Sequence, residues 1–278
     1  MTMGEETPVS SLILPVLVRP ILSQLERRDV TATQTLRAAF TKAEAANPGV
    51  TYDFIMSILE KGELNVNMNE SILRLQGSLT DSDVVEHRLT RSEDAFQELN
   101  RKSATLKKIL SRIPDEITDR KTFLEIIKEI ASAIKKLLDA VNEINAYIPG
   151  AQGKRALEGR KREFVKYSKL FSNTLKEYFK AGEANSVFAS ALCLIHQTNM
   201  IISAVKKYVV VSDDEDEENK QQNAVDVVIE KPPVKNNDSS LATTKKEISP
   251  KKSVKSSKGK AAKTVQNQPS IMSFFKKT

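Results

Sequence analysis

Between Ser10 and Val209 apolar residues recur at three- and four-residue intervals, the pattern of helices that turn one face inward. Ile21, Leu22 and Leu25 mark such a stripe from Ser10 to Arg28, and Leu36, Ala39, Phe40 and Ala43 mark a second from Thr31 to Ala46. The second helix is predicted to stop at Asn47-Pro48-Gly49, because proline disfavours helix in the residue before it and glycine permits the turn. Thr51 is then expected to cap a third helix carrying Phe54, Ile55, Ile58 and Leu59. A short extended piece from Glu63 to Met68 leads to a brief fourth helix, with Asn69 as its expected cap and Leu75 near its end. Four helices this short cannot bury all their apolar faces alone, so a second chain is expected to cover the remainder.

The stretch from Gly77 to Thr90 is rich in Ser, Thr and Asp and reads as a hinge, with bounds 77–91. Four longer helical patterns follow. The first opens at Ser92 with acids in its first turn and ends at Ile113-Pro114; the second runs from Thr118 to Ile148, before Pro149-Gly150. The third spans Lys154 to Lys180, closed by Ala181-Gly182, and the fourth runs from Asn185 to Val209. Long helices joined by short loops specify an up-down-up-down bundle. The expected organisation is therefore a helical dimerisation domain at 8–76, the hinge, a four-helix bundle at 92–209 and a disordered tail at 210–278.

Composition narrows the picture to an all-α protein. Of the 278 residues 40% are apolar, enough for two modest cores, but only 5% are aromatic and none is Trp, which suits bundles of Leu, Ile and Ala better than sheets. The formal charge of +7 sits largely in the tail, where Lys245 to Thr278 holds ten Lys against one Glu. A single cysteine, Cys193, excludes an internal disulfide framework, and a reducing compartment is expected in the absence of a signal-peptide pattern. The most apolar early stretch, Leu12 to Leu22, is interrupted by Pro15, Arg19 and Pro20 and is too short to span a bilayer.

Five segments, in this order, carry a resemblance: Gln34-Thr-Leu-Arg-Ala-Ala-Phe40, Lys107-Lys-Ile-Leu-Ser-Arg-Ile-Pro-Asp-Glu-Ile117, Ile130-Ala-Ser-Ala-Ile-Lys-Lys-Leu-Leu-Asp139, Glu163-Phe-Val-Lys-Tyr-Ser-Lys169 and Leu194-Ile-His-Gln-Thr-Asn199. They closely resemble the programmed cell death protein 10 (cerebral cavernous malformation 3) family over about residues 8–208, departing in the 145–153 loop and beyond 211. The resemblance implies a non-enzymatic adaptor with a dimerisation domain and a bundle similar to focal-adhesion-targeting domains. It further implies a homodimer or a heterodimer with germinal-centre III Ser/Thr kinases, their placement in striatin-phosphatase complexes, and a role in cell survival, angiogenesis, cytoskeletal and junction signalling. The implied locations are cytoplasm, Golgi and the cell membrane periphery. On this resemblance the dimer and kinase face contains Leu36, Ala39, Ile58 and Leu59. These positions also lie on the apolar stripes of two helices with no other evident core to fill.

A second surface follows from spacing. Lys128, Ala131 and Lys135 share one face of the second bundle helix, and Lys169, Ser172 and Lys176 repeat that spacing on the third. Small residues between lysines would make a groove with basic rims, suited to an amphipathic helix that is Leu-rich on one side and acidic on the other. The resemblance assigns these positions to leucine-aspartate motifs, implying paxillin and malcavernin as partners. Lysines that merely solubilise a helix face are the competing reading; attraction of phosphoinositide membranes is a third.

Beyond Val211 the composition shifts to Ser212-Asp-Asp-Glu-Asp-Glu-Glu and then to Lys, Ser, Asn and Pro, too polar to offset chain entropy. Ser212 is a candidate site for an acid-directed kinase. Val209-Val-Val-Ser-Asp-Asp-Glu-Asp resembles strand-adding motifs for small ubiquitin-like modifiers, or is simply the end of the last helix. Lys245 to Lys263 reads as a nuclear import signal, a nonspecific nucleic-acid contact or a solubilising linker, and direct sequence-specific nucleic acid binding is not expected. At the end, Gln268-Pro-Ser-Ile-Met-Ser-Phe-Phe275 matches the pattern by which replication proteins bind the DNA sliding clamp. In one 3₁₀ turn Ile271 and Phe274 project together with Phe275 beside them, while Gln268 hydrogen-bonds at the pocket rim. The alternatives are a nuclear scaffold directed to the clamp and an incidental apolar end.

No P-loop, dinucleotide glycine pattern, metal-spaced Cys/His cluster or nucleophile elbow appears, so no catalytic residue, cofactor or metal is expected. Cys193 and His196 stand three apart on an apolar helix and read as packing residues, and His87 carries no signal.

Overall fold

The computed structural model describes residues 8–79 and 88–225, with side chains described as far as residue 209. Every element among these residues is helical. The first run is interrupted rather than regular: Ser10–Ile13 (α1), a π-helical turn at Leu14–Val18 and Arg19–Glu26 (α2) follow one another without a break in the chain direction. Pro15 and Pro20 cause this, because each lacks an N–H and crowds the preceding turn, and the wider π spacing accommodates both. Its apolar side chains are core, with Leu12, Ile13, Val16 and Leu22 all buried.

Val30–Ala46 (α3) is capped by Asp29, whose carboxylate accepts from Ala32 N at 2.9 Å, and it packs on α2 through the Arg37 guanidinium, which donates to Ser23 Oγ and Glu26. Val50–Lys61 (α4) starts after Gly49, whose φ of +92° is the left-handed conformation that the turn requires. Thr51 is not the cap predicted for this helix. It lies buried in the first turn, and Glu44 from α3 takes its amide and hydroxyl instead. Met68–Ser78 (α5) is likewise capped by Asn67, which accepts from Glu70 N, leaving Asn69 to bond Asn185.

The larger helices are Asp94–Leu110 (α6), the short Ile113–Glu116 (α7), Arg120–Ile144 (α8), Gly150–Ala181 (α9) and Ala184–Val225 (α10). Packing is closest between α9 and α10 and between α6 and α8, around Phe96, Phe123, Phe164 and Phe171, all fully buried. The periodicity ends α10 at Val209; the backbone instead stays helical through the acidic run to Val225. No Pro or Gly falls between Gly182 and Pro232, and the Glu, Lys and Gln residues there propagate helix well. The part Ala184–Val209 is long and apolar enough to cross a membrane, with a mean hydropathy of 1.4, yet 67% of that apolar window is buried within the protein, as befits a core helix.

Two contacts tie the ends of the chain's halves together. The helix α5, expected with the N-terminal unit, packs on α10 and α6, and Arg74 reaches Asp115 and the Pro114 carbonyl on α7. Ser11 Oγ donates to the Pro8 carbonyl and lies 2.7 Å from His196 Nδ1 on α10. The connection expected at 77–91 starts two residues later than the composition suggests. Gly77 and Ser78 belong to α5, while Leu89 is buried and exchanges both backbone hydrogen bonds with the Asn100 side chain.

Candidate functional site

Helices α3 and α4 form an antiparallel hairpin whose geometry is set at its closed end. Glu44 accepts from Gly49 N at 2.7 Å, from Thr51 N at 3.1 Å and from Thr51 Oγ1 at 2.5 Å, so one carboxylate replaces the cap that α4 lacks. One turn further on, the Phe40 and Phe54 rings meet with centroids 6.1 Å apart. The next turn brings Leu36 level with Ile58. Both are exposed, at 39% and 49%; Ala39 is exposed as well and Leu59 is half-buried.

The four positions expected on a dimer face thus lie on one hairpin with open apolar surface. Phe54, 50% exposed, joins them, and Leu64 and Val66 in the extended piece after α4 are also exposed. These three were not expected as site residues. The signal for the last two is a two-residue alternation of apolar positions in a segment too short to pack on anything. A set of large apolar side chains left uncovered on one unit marks an interaction surface.

In the bundle, α8 and α9 run antiparallel. Phe123 on α8 meets Tyr178 and Phe179 on α9, with ring centroids 5.6 and 5.8 Å away, and Arg120 stacks over Phe179. That register sets Ala131 level with Ser172. Both are buried, and Ser172 Oγ donates to the Ser168 carbonyl, so its hydroxyl is satisfied within its own helix. Lys128, Lys135, Lys169 and Lys176 are exposed around this pair, Lys128 near the level of Lys176 and Lys135 near that of Lys169. The two helices touch more sparsely than α6 and α8 or α9 and α10 do, and Ala131 and Ser172, both buried, do not form the open floor that the spacing led one to expect between the lysines. Leu124, on the Lys128 stripe, and Phe179, on the Lys176 stripe, are each about 40% exposed and add apolar surface beside the lysines.

The remaining candidates contribute no chemistry to either surface. Cys193 is half-buried and burial pushes its thiol pKa up, which disfavours the thiolate. Among the described residues no group of three His, Cys, Asp or Glu is placed to hold a metal. The Ser212 side chain, His87 and the clamp-like residues Gln268, Ile271, Phe274 and Phe275 lie outside the described residues.

Comparison with known proteins divides the chain where α4 gives way to α5. Residues 6–65 match the dimerisation domain of programmed cell death protein 10, and residues 66–158 match the C-terminal region of programmed cell death protein 10. The programmed cell death protein 10 homolog of Caenorhabditis elegans is 41% identical over 197 residues, covering 69% of this chain and 91% of that relative.

Proposed function

Since this chain belongs to the programmed cell death protein 10 family, we propose that it is a non-enzymatic adaptor which self-associates through the α3–α4 hairpin and exchanges that contact for one with germinal-centre III kinases. The observation that carries this reading is the uncovered apolar set Leu36, Phe54 and Ile58 inside the region that matches a dimerisation domain. A kinase segment presenting the same kind of helical hairpin would cover the same face, so homodimer and heterodimer compete. Through its kinase the adaptor would enter striatin-phosphatase complexes and act in the cytoplasm, at the Golgi and beneath the cell membrane.

The lysine-bearing faces of α8 and α9 supply the second contact. Four exposed lysines with exposed Leu124 and Phe179 beside them favour a helix with acids along its edges and leucines on its inner face, the chemistry of leucine-aspartate motifs such as those proposed for paxillin and malcavernin.

One experiment separates the surfaces. Leu36→Asp with Ile58→Asp should weaken self-association by at least about a hundredfold, since each buried unpaired carboxylate costs several kcal/mol, and should remove kinase co-purification. Lys128→Glu with Lys169→Glu should leave the dimer intact and lose leucine-aspartate peptides. Sedimentation velocity and peptide anisotropy read the two outcomes. A Leu36/Ile58 variant that still dimerises would end the first assignment; peptide binding unaffected by the charge reversal would end the second.

A second reading rests on Gln268-Pro-Ser-Ile-Met-Ser-Phe-Phe275, in which the same scaffold is delivered to the sliding clamp in the nucleus. Titrating the peptide Lys263 to Thr278 against the clamp, with Phe274→Ala and Phe275→Ala as control, decides it; equal affinities remove the reading.

A further inference from the structure

Between α4 and α5 the chain runs non-helical from Leu64 to Asn67, and every residue of that run is exposed. Its large apolar side chains, Leu64 and Val66, are 58% and 41% exposed. Standing two apart, they share one face of an extended run, while Asn65 and Asn67 take the other. Edge strands are ordinarily protected by charge or proline, yet Leu64 to Asn69 carries neither.

The turn before this run decides which of its backbone groups are available. Glu63 takes a left-handed φ of +52°, and the Leu64 N–H donates to the Leu59 carbonyl at 2.9 Å, closing the end of α4. Among the described residues no hydrogen bond engages the N–H or C=O of Asn65. The same turn folds Leu64 back along α4: a Cβ placed on Gly62 would stand 3.4 Å from Leu64 Cγ, and Gly62 follows Ile58 by one turn. Leu64 therefore extends the exposed stripe of Phe54 and Ile58, and the match to a dimerisation domain ends at residue 65.

We propose that Leu64–Asn67 is an edge strand that pairs antiparallel with the same segment of a second copy of this chain, across a two-fold axis at Asn65. The proposal rests on self-association through the α3–α4 hairpin and adds a backbone-paired element to it. Centring the axis at Asn65 sets Leu64 of each copy opposite Val66 of the other, so four apolar side chains meet on one face and continue the hairpin's surface. It also makes the two Asn65 residues a hydrogen-bonded pair, each giving its N–H to the other's C=O, and leaves the Leu64 N–H on Leu59. A register shifted by one residue would set each apolar side chain against an asparagine. A partner that covers α3 and α4 with helices alone forgoes these two hydrogen bonds, so the strand biases the exchange of partners toward the homodimer.

The test uses the full-length chain and three variants. In such a pair the two Asn65 Cα atoms stand about 5.5 Å apart, within the roughly 4.4–6.8 Å that a disulfide spans. Asn65→Cys should therefore cross-link into a covalent dimer under mild oxidation, whereas Glu63→Cys, whose two copies lie about 13 Å apart along the strands, should not. The parent, whose one cysteine is the half-buried Cys193, is the control. Asn65→Pro removes an N–H that the single chain does not use, so it should keep the helix content by circular dichroism. It should weaken the dimer on the order of tenfold by sedimentation velocity. Equal cross-linking by Asn65→Cys and Glu63→Cys in a chain that sediments as a dimer overturns the pairing alone. A monomeric parent overturns it together with the reading of the hairpin. A dimer unchanged by Asn65→Pro while kinase co-purification is lost assigns the strand to the kinase, and likewise overturns the pairing.

Discussion

At Lys107 burial and charge oppose one another, and the sign of the effect on stability can be worked out. The folded-state value of about 8 lies below the ordinary 10.5, so between them the folded chain binds fewer protons than the unfolded chain. Raising the pH through that window therefore stabilises the protein. Lys107→Met should be more stable than the parent at pH 7, by on the order of 1–3 kcal/mol, and the gain should vanish as the pH approaches the ordinary lysine value. Urea unfolding at a series of pH values checks both the sign and the window. Glu44 works the other way, since three donors converge on one carboxylate at the hairpin's closed end. Glu44→Ala should cost about 1–2 kcal/mol in the same assay. It should also weaken self-association, because the angle between α3 and α4 depends on that contact. Neither role was legible beforehand. A lysine in a helical pattern looks exposed, and a glutamate five residues before a glycine has no local motif to announce it.

Among the elements, α8 depends visibly on its cap. Asp119 is held below its ordinary carboxylate value first by the Thr122 hydroxyl and then by the Lys121 amide. A carboxylate with a lowered folded-state value stabilises above its unfolded value and loses that contribution as the pH falls through the folded one. Asp119→Ala should accordingly flatten the acid limb of a Tm-versus-pH profile taken between about pH 2 and 5, with the parent falling more steeply. The sequence placed this helix well because proline, glycine and long apolar stripes bound it on both sides. It erred at single caps, choosing Thr51 and Asn69 where Glu44 and Asn67 act, because several residues of the right type stand within one turn of each start. It also passed over the π turn at Leu14–Val18, since two prolines mark a disturbance without specifying its geometry.

For the molecule as a whole, the proposed dimer through the hairpin would make stability depend on concentration. If a second chain covers Leu36, Phe54 and Ile58, diluting the protein tenfold should lower its Tm, whereas the Leu36→Asp, Ile58→Asp variant should show a lower Tm independent of concentration. Differential scanning calorimetry at two concentrations reads this directly. Helix identity, the all-α class, the family and the apolar stripe on α3 and α4 were determined by the sequence alone, since each depends on residues within a few turns of one another. Which helices touch was decided only in three dimensions. The packing of α5 on α10, the level register of Ala131 with Ser172 and the Ser11–His196 contact all join residues far apart in the chain. A helix's periodicity says which face is buried but not against what, and the partner across the gap is chosen by the closing of the whole core.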